Sequence, residues 1–215
     1  KANGLGVHES QSRLWENQIG RSLEFCHWSL PLWKEAFPEK MQDIDAEMLW
    51  RAVNVVEPSL IRVEADEATY NIHIMIRYEI EKLLISGDLE VDELPGKWDD
   101  MYEEYLGIRP TDNSSGVLQD IHWSMGAIGY FPTYTLGNLY SAQLLSAARG
   151  DLPEHDLQIR RGDFSPLLDW MRRKVHGRGS ILEPAELIEE ATGEAPSPEA
   201  FVDYLRDKVK RLYSV

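Results

Sequence analysis

Between Asp66 and Ser86 apolar side chains recur at helical spacing, and this stretch limits the fold more than any other. Ile72, Ile76, Ile80, Leu83 and Leu84 form one stripe, and Gly87 follows as a C-terminal stop. Such a stripe must be covered by other elements, and the chain supplies them as further helices. One is predicted over about 9–27, with Leu14, Ile19, Leu23 and Phe25 on its apolar side. Pro31 should break it within Ser29–Trp33, leaving a short helix that ends near Pro38. Asp45 is an N-cap candidate for a helix over 45–54. Residues 92–105, around Trp98, suit a surface helix whose start is interrupted by Pro95-Gly96. Further helices are predicted over about 134–149, ending at Gly150, and over 164–176, 184–192 and 198–213. Ser197 is placed to cap the last of these, with Pro198 at its first position. Val55–Val63 lacks the helical period, and its β-branched residues predict a short strand at about 60–63; Arg109–Gly116 is the most linker-like loop. The expected fold is therefore mainly α, one helical domain over 1–215 with a single short β segment.

Composition narrows the function. A formal net charge of −15 disfavours non-specific nucleic-acid binding and docking on anionic membranes. No 18-residue apolar run suggests a membrane span, and no signal peptide is visible. A lone cysteine, Cys26, precludes an intrachain disulfide and fits a reducing compartment, so a cytoplasmic protein is expected. The sequence opens on Lys1 rather than Met, as a fragment or processed product would.

Four clusters of residues are candidates for chemistry. Glu9, Arg13 and Glu16 fall on one helical face behind His8, so Glu9 suits either a helix-start carboxylate or a metal ligand. A zinc hydrolase built on a H-E-x-x-H helix takes its third ligand from such a downstream glutamate. No two of the six histidines here lie four apart. In Ile61-Arg62-Val63-Glu64-Ala65-Asp66, a strand with Ile61 and Val63 in the core would turn Arg62 toward a cleft or solvent. A guanidinium there suits a carboxylate; the plainer role is an internal ion pair with Glu64 or Asp66. In Gly116–Trp123, Asp120 and His122 share a face only in a strand or irregular turn. His122 then suits either an oxyanion or a packed core position. Finally, Tyr130 and Tyr134 lie among glycines in Gly126–Gly137, as oxyanion donors or as packing aromatics.

Together and in this order, His8-Glu9-Ser10-Gln11, Ile61-Arg62-Val63-Glu64-Ala65-Asp66 and Gly116-Val117-Leu118-Gln119-Asp120-Ile121-His122-Trp123 resemble the HESQ, IRxxAD and GxxQDxHW motifs of the thermostable carboxypeptidase Taq family of metallocarboxypeptidases. The tract Gly129–Asn138 resembles the family's as well. The resemblance implies a helical, clefted metalloenzyme that removes single residues from peptides with a free C-terminus, usually as a homodimer. By position it makes Glu9 a ligand of one divalent metal, zinc with cobalt as the alternative. It gives Arg62 the substrate carboxylate, His122 the substrate or tetrahedral intermediate, and Tyr134 the assisting phenol, with Tyr130 as rival. His8 and Gln119 join Arg62 in substrate binding, His8 as an orienting residue.

The family's H-E-x-x-H helix precedes this region and supplies two metal histidines and the general base. The chain therefore resembles the C-terminal part of a longer enzyme. Alone it is expected to retain no metal and to be inactive. The alternative is a non-catalytic helical module for interaction or dimerisation.

Overall fold

In a computed structural model that describes residues 4–214, the chain is built from helices, and no strand occurs among the described residues. In chain order the helices are α1 (Leu5–Arg13), α2 (Leu23–Ala36), α3 (Pro38–Met41), α4 (Ala46–Ala52), α5 (Tyr70–Ser86), α6 (Leu94–Leu106), α7 (Pro132–Asp151), α8 (His155–Arg160), α9 (Ser165–Lys174), α10 (Pro184–Thr192) and α11 (Glu199–Tyr213). The chain divides into two compact units. One is Lys1–Asn54 with Leu136–Val215; the other is Val55–Thr135.

The first unit is centred on Leu14, Leu144, Leu167, Met171, Leu187 and Ile188, all fully buried. The single helix predicted over 9–27 is interrupted. After α1 the backbone widens into a π-helical stretch, Leu14–Ile19, and Ser22 then caps α2 by accepting a hydrogen bond from Phe25 N at 3.1 Å. Pro31 does not break α2, contrary to expectation. Pro31 and His27, whose carbonyl loses its partner, are both exposed, so water can take that bond. Asp45 caps α4 as predicted, accepting from Met48 N at 2.8 Å. The first helical residue of α11 is Glu199, with Pro198 itself in the cap position. α1 and α7 approach so closely that a Cβ on Gly6 would lie 3.0 Å from Leu136 Cβ, and one on Gly137 only 2.5 Å from Glu9 Cγ.

In the second unit α5 packs on α6 through Ile76, Ile80, Trp98, Met101, Tyr102 and Leu106. α6 is the surface helix its acidity suggests, with one apolar face turned into the core. Trp98, Met101 and Tyr102 fall at i, i+3 and i+4 and are buried, while Asp100, Glu103 and Glu104 take the outer face. α5 begins at Tyr70 rather than Asp66, because the Asp66 carboxylate instead shapes the preceding turn, accepting from Ala68 N and Thr69 N at 2.8 and 2.9 Å. Gly87 ends it in the left-handed conformation, φ 80°, as its position predicts.

The strand predicted at about 60–63 is absent. Arg62–Glu64 form a 3-10 turn in which Glu64 N and Ala65 N donate back to Ile61 O and Arg62 O, both at 3.1 Å. A lone strand would leave its backbone groups unpaired; the turn satisfies them locally. The faces are also reversed: Arg62 is buried, 5% exposed, whereas Val63 is 71% exposed.

Candidate active site

The inner face of α5 carries polar side chains at helical spacing, Tyr70, His73, Arg77 and Glu81, all buried. The segment Gly116–Phe131 lies against them. Glu81 anchors it by accepting from Trp123 Nε1 at 2.8 Å and Gly129 N at 3.1 Å. Gly129 makes this turn at φ 76°, a conformation that glycine adopts without strain.

The Asp120 carboxylate is held between two guanidiniums. Arg62 NH2 donates to Oδ1 at 2.6 Å, and Arg77 Nε donates to Oδ2 at 2.7 Å. Gln119 fixes the same pair from the side. Its Oε1 accepts from Arg62 N and Arg77 NH2, both at 2.9 Å, while its Nε2 donates to Leu60 O and Ser115 O. The Gln119 amide thus makes all four of its hydrogen bonds inside the fold. Burial opposes ionisation of Asp120, but hydrogen bonds from Arg62 and the charges of both arginines outweigh it and hold the carboxyl below its usual range. Burial likewise works against the Arg62 charge; the bond to Asp120 overcomes it and the guanidinium titrates above its ordinary value. Two guanidiniums against one carboxylate leave the cluster with one positive charge.

Arg77 is fully enclosed: it donates to His73 O at 2.8 Å and Tyr102 OH at 3.1 Å and sits 4.5 Å from the Trp98 ring centroid. Arg62 is the member that borders a groove of about 490 Å³, lined also by Asp120, His122, Met125, Tyr130 and Tyr134. Its NH1 donates to Tyr70 OH at 2.9 Å. Tyr134 lies beneath the guanidinium, 4.9 Å from ring centroid to Cζ. Of the five N–H groups of Arg62, three are engaged within the protein, on Nε, NH1 and NH2.

His122 and Asp120 share a face, as the irregular-turn alternative required. The imidazole Nδ1 is buried and unbonded, 3.7 Å from Asp120 Oδ1, and Nε2 is 3.0 Å from Tyr134 OH. With its proton on Nδ1 the ring faces the carboxylate and accepts from the Tyr134 hydroxyl; with its proton on Nε2 it donates to the Tyr134 oxygen and leaves the phenol proton free for the groove. Burial lowers the imidazole pKa, which favours the neutral ring despite Asp120. Tyr130 packs edge-on against Tyr134 at 5.3 Å.

In the other unit, Glu9 lies on the α1 face that meets Gly137. It accepts from Arg13 Nε at 2.7 Å and Ser12 Oγ at 3.2 Å, and Arg13 also reaches Glu16 at 3.5 Å, the three-residue face the spacing predicts. His8 is exposed on the same helix. Catalytic zinc takes three protein ligands. Among the described residues no three His, Cys, Asp or Glu side chains gather that way, so Glu9 by itself does not make a metal site.

The sequence profile of the carboxypeptidase Taq (M32) metallopeptidase family matches residues 1–209. The chain belongs to that family. It is similar to thermostable carboxypeptidase 1 of Thermus thermophilus, 50% identical over 212 residues, which cover 99% of this chain and 41% of the relative. It is 46% identical to carboxypeptidase 1 of Bacillus subtilis over 97% of this chain and 42% of that protein. Among solved structures, the M32 carboxypeptidase of Deinococcus radiodurans matches with a TM-score of 0.96 and 44% identity, over all of this chain and 43% of that one. The chain thus spans less than half the length of these relatives. The mainly helical fold and the metallopeptidase family expected from the motifs both hold.

Arg62, Gln119, His122, Tyr130 and Tyr134 come together in one unit; His8 and Glu9 belong to the other. Sequence reasoning missed Arg77, Glu81, Tyr70 and Tyr102, none of which lies in the three motifs. A signal did exist on α5. Tyr70, His73, Arg77 and Glu81 form a polar stripe on a helix whose apolar stripe already fills its core face, the pattern of a helix buried on two sides.

Proposed function

We propose that these residues form the part of a metallocarboxypeptidase that captures the free C-terminus of a peptide for release of its last amino acid. One observation carries the reading: Asp120 is shared between Arg62 and Arg77, and Arg62, the member bordering the groove, has a surplus positive charge beside it. Arg62 receives the terminal carboxylate on N–H groups not used by Asp120 and Tyr70, and the planar fork orients it. That anchoring holds the scissile carbonyl at a fixed reach from the groove wall. The Tyr134 hydroxyl donates toward the carbonyl oxygen as it gains negative charge, with His122 orienting it, and Tyr130 is the rival donor. Gln119 holds Arg62 in register from behind, and His8 orients the substrate side of α1.

Glu9 is proposed as the single metal ligand this chain contributes, with zinc, or alternatively cobalt, as the metal. A second copy of the enzyme is the proposed partner. The cytoplasm suits its lone buried thiol, Cys26. No helix among the described residues is long and apolar enough to cross a membrane.

The test is substrate selectivity in the whole enzyme. Arg62→Ala raises KM for peptides with a free C-terminus by roughly two orders of magnitude, the scale of losing one partner of a desolvated charged pair. C-terminal amides are poor substrates before and after the change. An unmodified enzyme that cleaves free acids and amides equally well refutes the proposal.

A further inference from the structure

Asp120 presents Arg77 with a function that no motif marks. If Asp120 faced Arg62 alone, the two would neutralise each other, since Arg62 already meets the carboxylate through both Nε, at 3.1 Å, and NH2, at 2.6 Å. A neutral pair offers little attraction to an incoming carboxylate, and the buried Asp120 would repel it. Arg77 changes the balance from inside. It takes Asp120 Oδ2 at 2.7 Å and Gln119 Oε1 at 2.9 Å from behind these two groove-lining residues, and the rest of its side chain is packed against His73, Tyr102 and Trp98. Its side chain is 0% exposed, so it touches no ligand.

We infer that Arg77 is a positioning residue for carboxylate capture: by neutralising Asp120 from within the fold, it leaves the Arg62 charge free for the groove. Selectivity for a free C-terminal carboxylate over an amide is then set by a side chain that never contacts substrate. The inference rests on the reading of Arg62 given above and names what tunes it. Full burial has a physical reason here. A charge enclosed by protein is screened by water and salt much less than an exposed one, so it acts on the groove at an effective dielectric below that of solvent.

The test uses three variants of the whole enzyme, assayed on a peptide and its C-terminal amide. Arg77→Met removes the charge, and KM for the free acid rises about ten-fold, the scale of one charge acting through protein. The value of kcat stays within about two-fold, because no reacting atom is touched. Arg77→Lys keeps the charge and restores most of KM. Gln119→Glu brings the cluster to the same zero net charge with Arg77 in place, and KM rises as in Arg77→Met. This variant carries the test if Arg77→Met does not fold.

A merely structural role for Arg77 predicts a different pattern: kcat falls in both Arg77 variants with KM unchanged, or Arg77→Lys is as impaired as Arg77→Met. Either result overturns the inference, as does a normal KM in Gln119→Glu. The underlying reading fails separately. If Arg62→Ala keeps full acid-over-amide selectivity, Arg62 is not the carboxylate site. If Arg62→Ala loses it while Arg77→Met and Gln119→Glu keep it, only the role of Arg77 is wrong.

Discussion

Gly137→Ala tests how tightly the α1–α7 contact fixes Glu9. A Cβ at position 137 would lie 2.5 Å from Glu9 Cγ, 2.7 Å from its Cβ and 3.1 Å from its backbone carbon. Ordinary carbon contacts begin near about 3.5 Å, so relief needs a shift of about 1 Å. The crowded atoms belong to the base of the side chain and the backbone, so a rotamer change does not suffice and α1 itself must move. Overpacking of this kind costs about 1–3 kcal/mol. Alanine in a helix gains about 1 kcal/mol over glycine, leaving a net loss of up to about 2 kcal/mol. Gly150, near the end of the same helix, is the internal control, because nothing lies within 4 Å of a Cβ built there. Gly150→Ala gains the same helix preference without a clash. The two variants should therefore differ by about 1–3 kcal/mol. At about 2–4 °C per kcal/mol for a chain of this size, thermal unfolding separates them by several degrees, Gly150→Ala above the parent and Gly137→Ala below Gly150→Ala. A Gly137→Ala protein that melts as high as Gly150→Ala would refute the argument, because it would mean the helices are free to part at no cost.

Two further predictions concern buried groups. Burial, assisted by the charges of Arg77 and Arg62, lowers the His73 pKa to about 4, so the folded protein keeps this ring neutral while the unfolded chain protonates it near its usual pKa of about 6.5. The unfolded state therefore binds the extra proton between these values, and stability falls as pH drops through that window, by roughly 3 kcal/mol at most. Denaturant titrations at a series of pH values check the slope, which should flatten in His73→Asn relative to the parent at each pH. Burial also raises the Cys26 thiol to about 11, with Glu24 adding to the shift, and its side chain is buried under Trp50 and Leu212. Folded protein should react with a thiol reagent at pH 8 at least ~100-fold more slowly than unfolded protein; comparable rates would show that the α2–α4 packing opens freely.

The helices were legible because each carries its own signals. The α5 stripe, the Asp45 cap and the left-handed Gly87 depend only on residues within one or two turns, and all three form as the spacing predicts. The three motifs were legible in the same sense, since each is a short run of residue types in fixed order. Where prediction failed, a local rule met a non-local partner. Ile61-Arg62-Val63 has strand-forming residues, but no second strand exists among the described residues to pair with it, and a 3-10 turn replaces it.

The site divides along the same line. The sequence by itself determined a chain of helices, the family, and which residue types stand at the groove. It did not determine what those side chains do to one another. Arg62 takes its carboxylate from Asp120, 58 positions away, rather than from Glu64 or Asp66 nearby, and Arg77 reaches the same carboxylate over 43 positions. Local spacing controls backbone conformation, whose forces act over a few residues. Electrostatic pairing in a desolvated site depends on which charges the packed helices bring within hydrogen-bonding reach, and only the tertiary structure decides that.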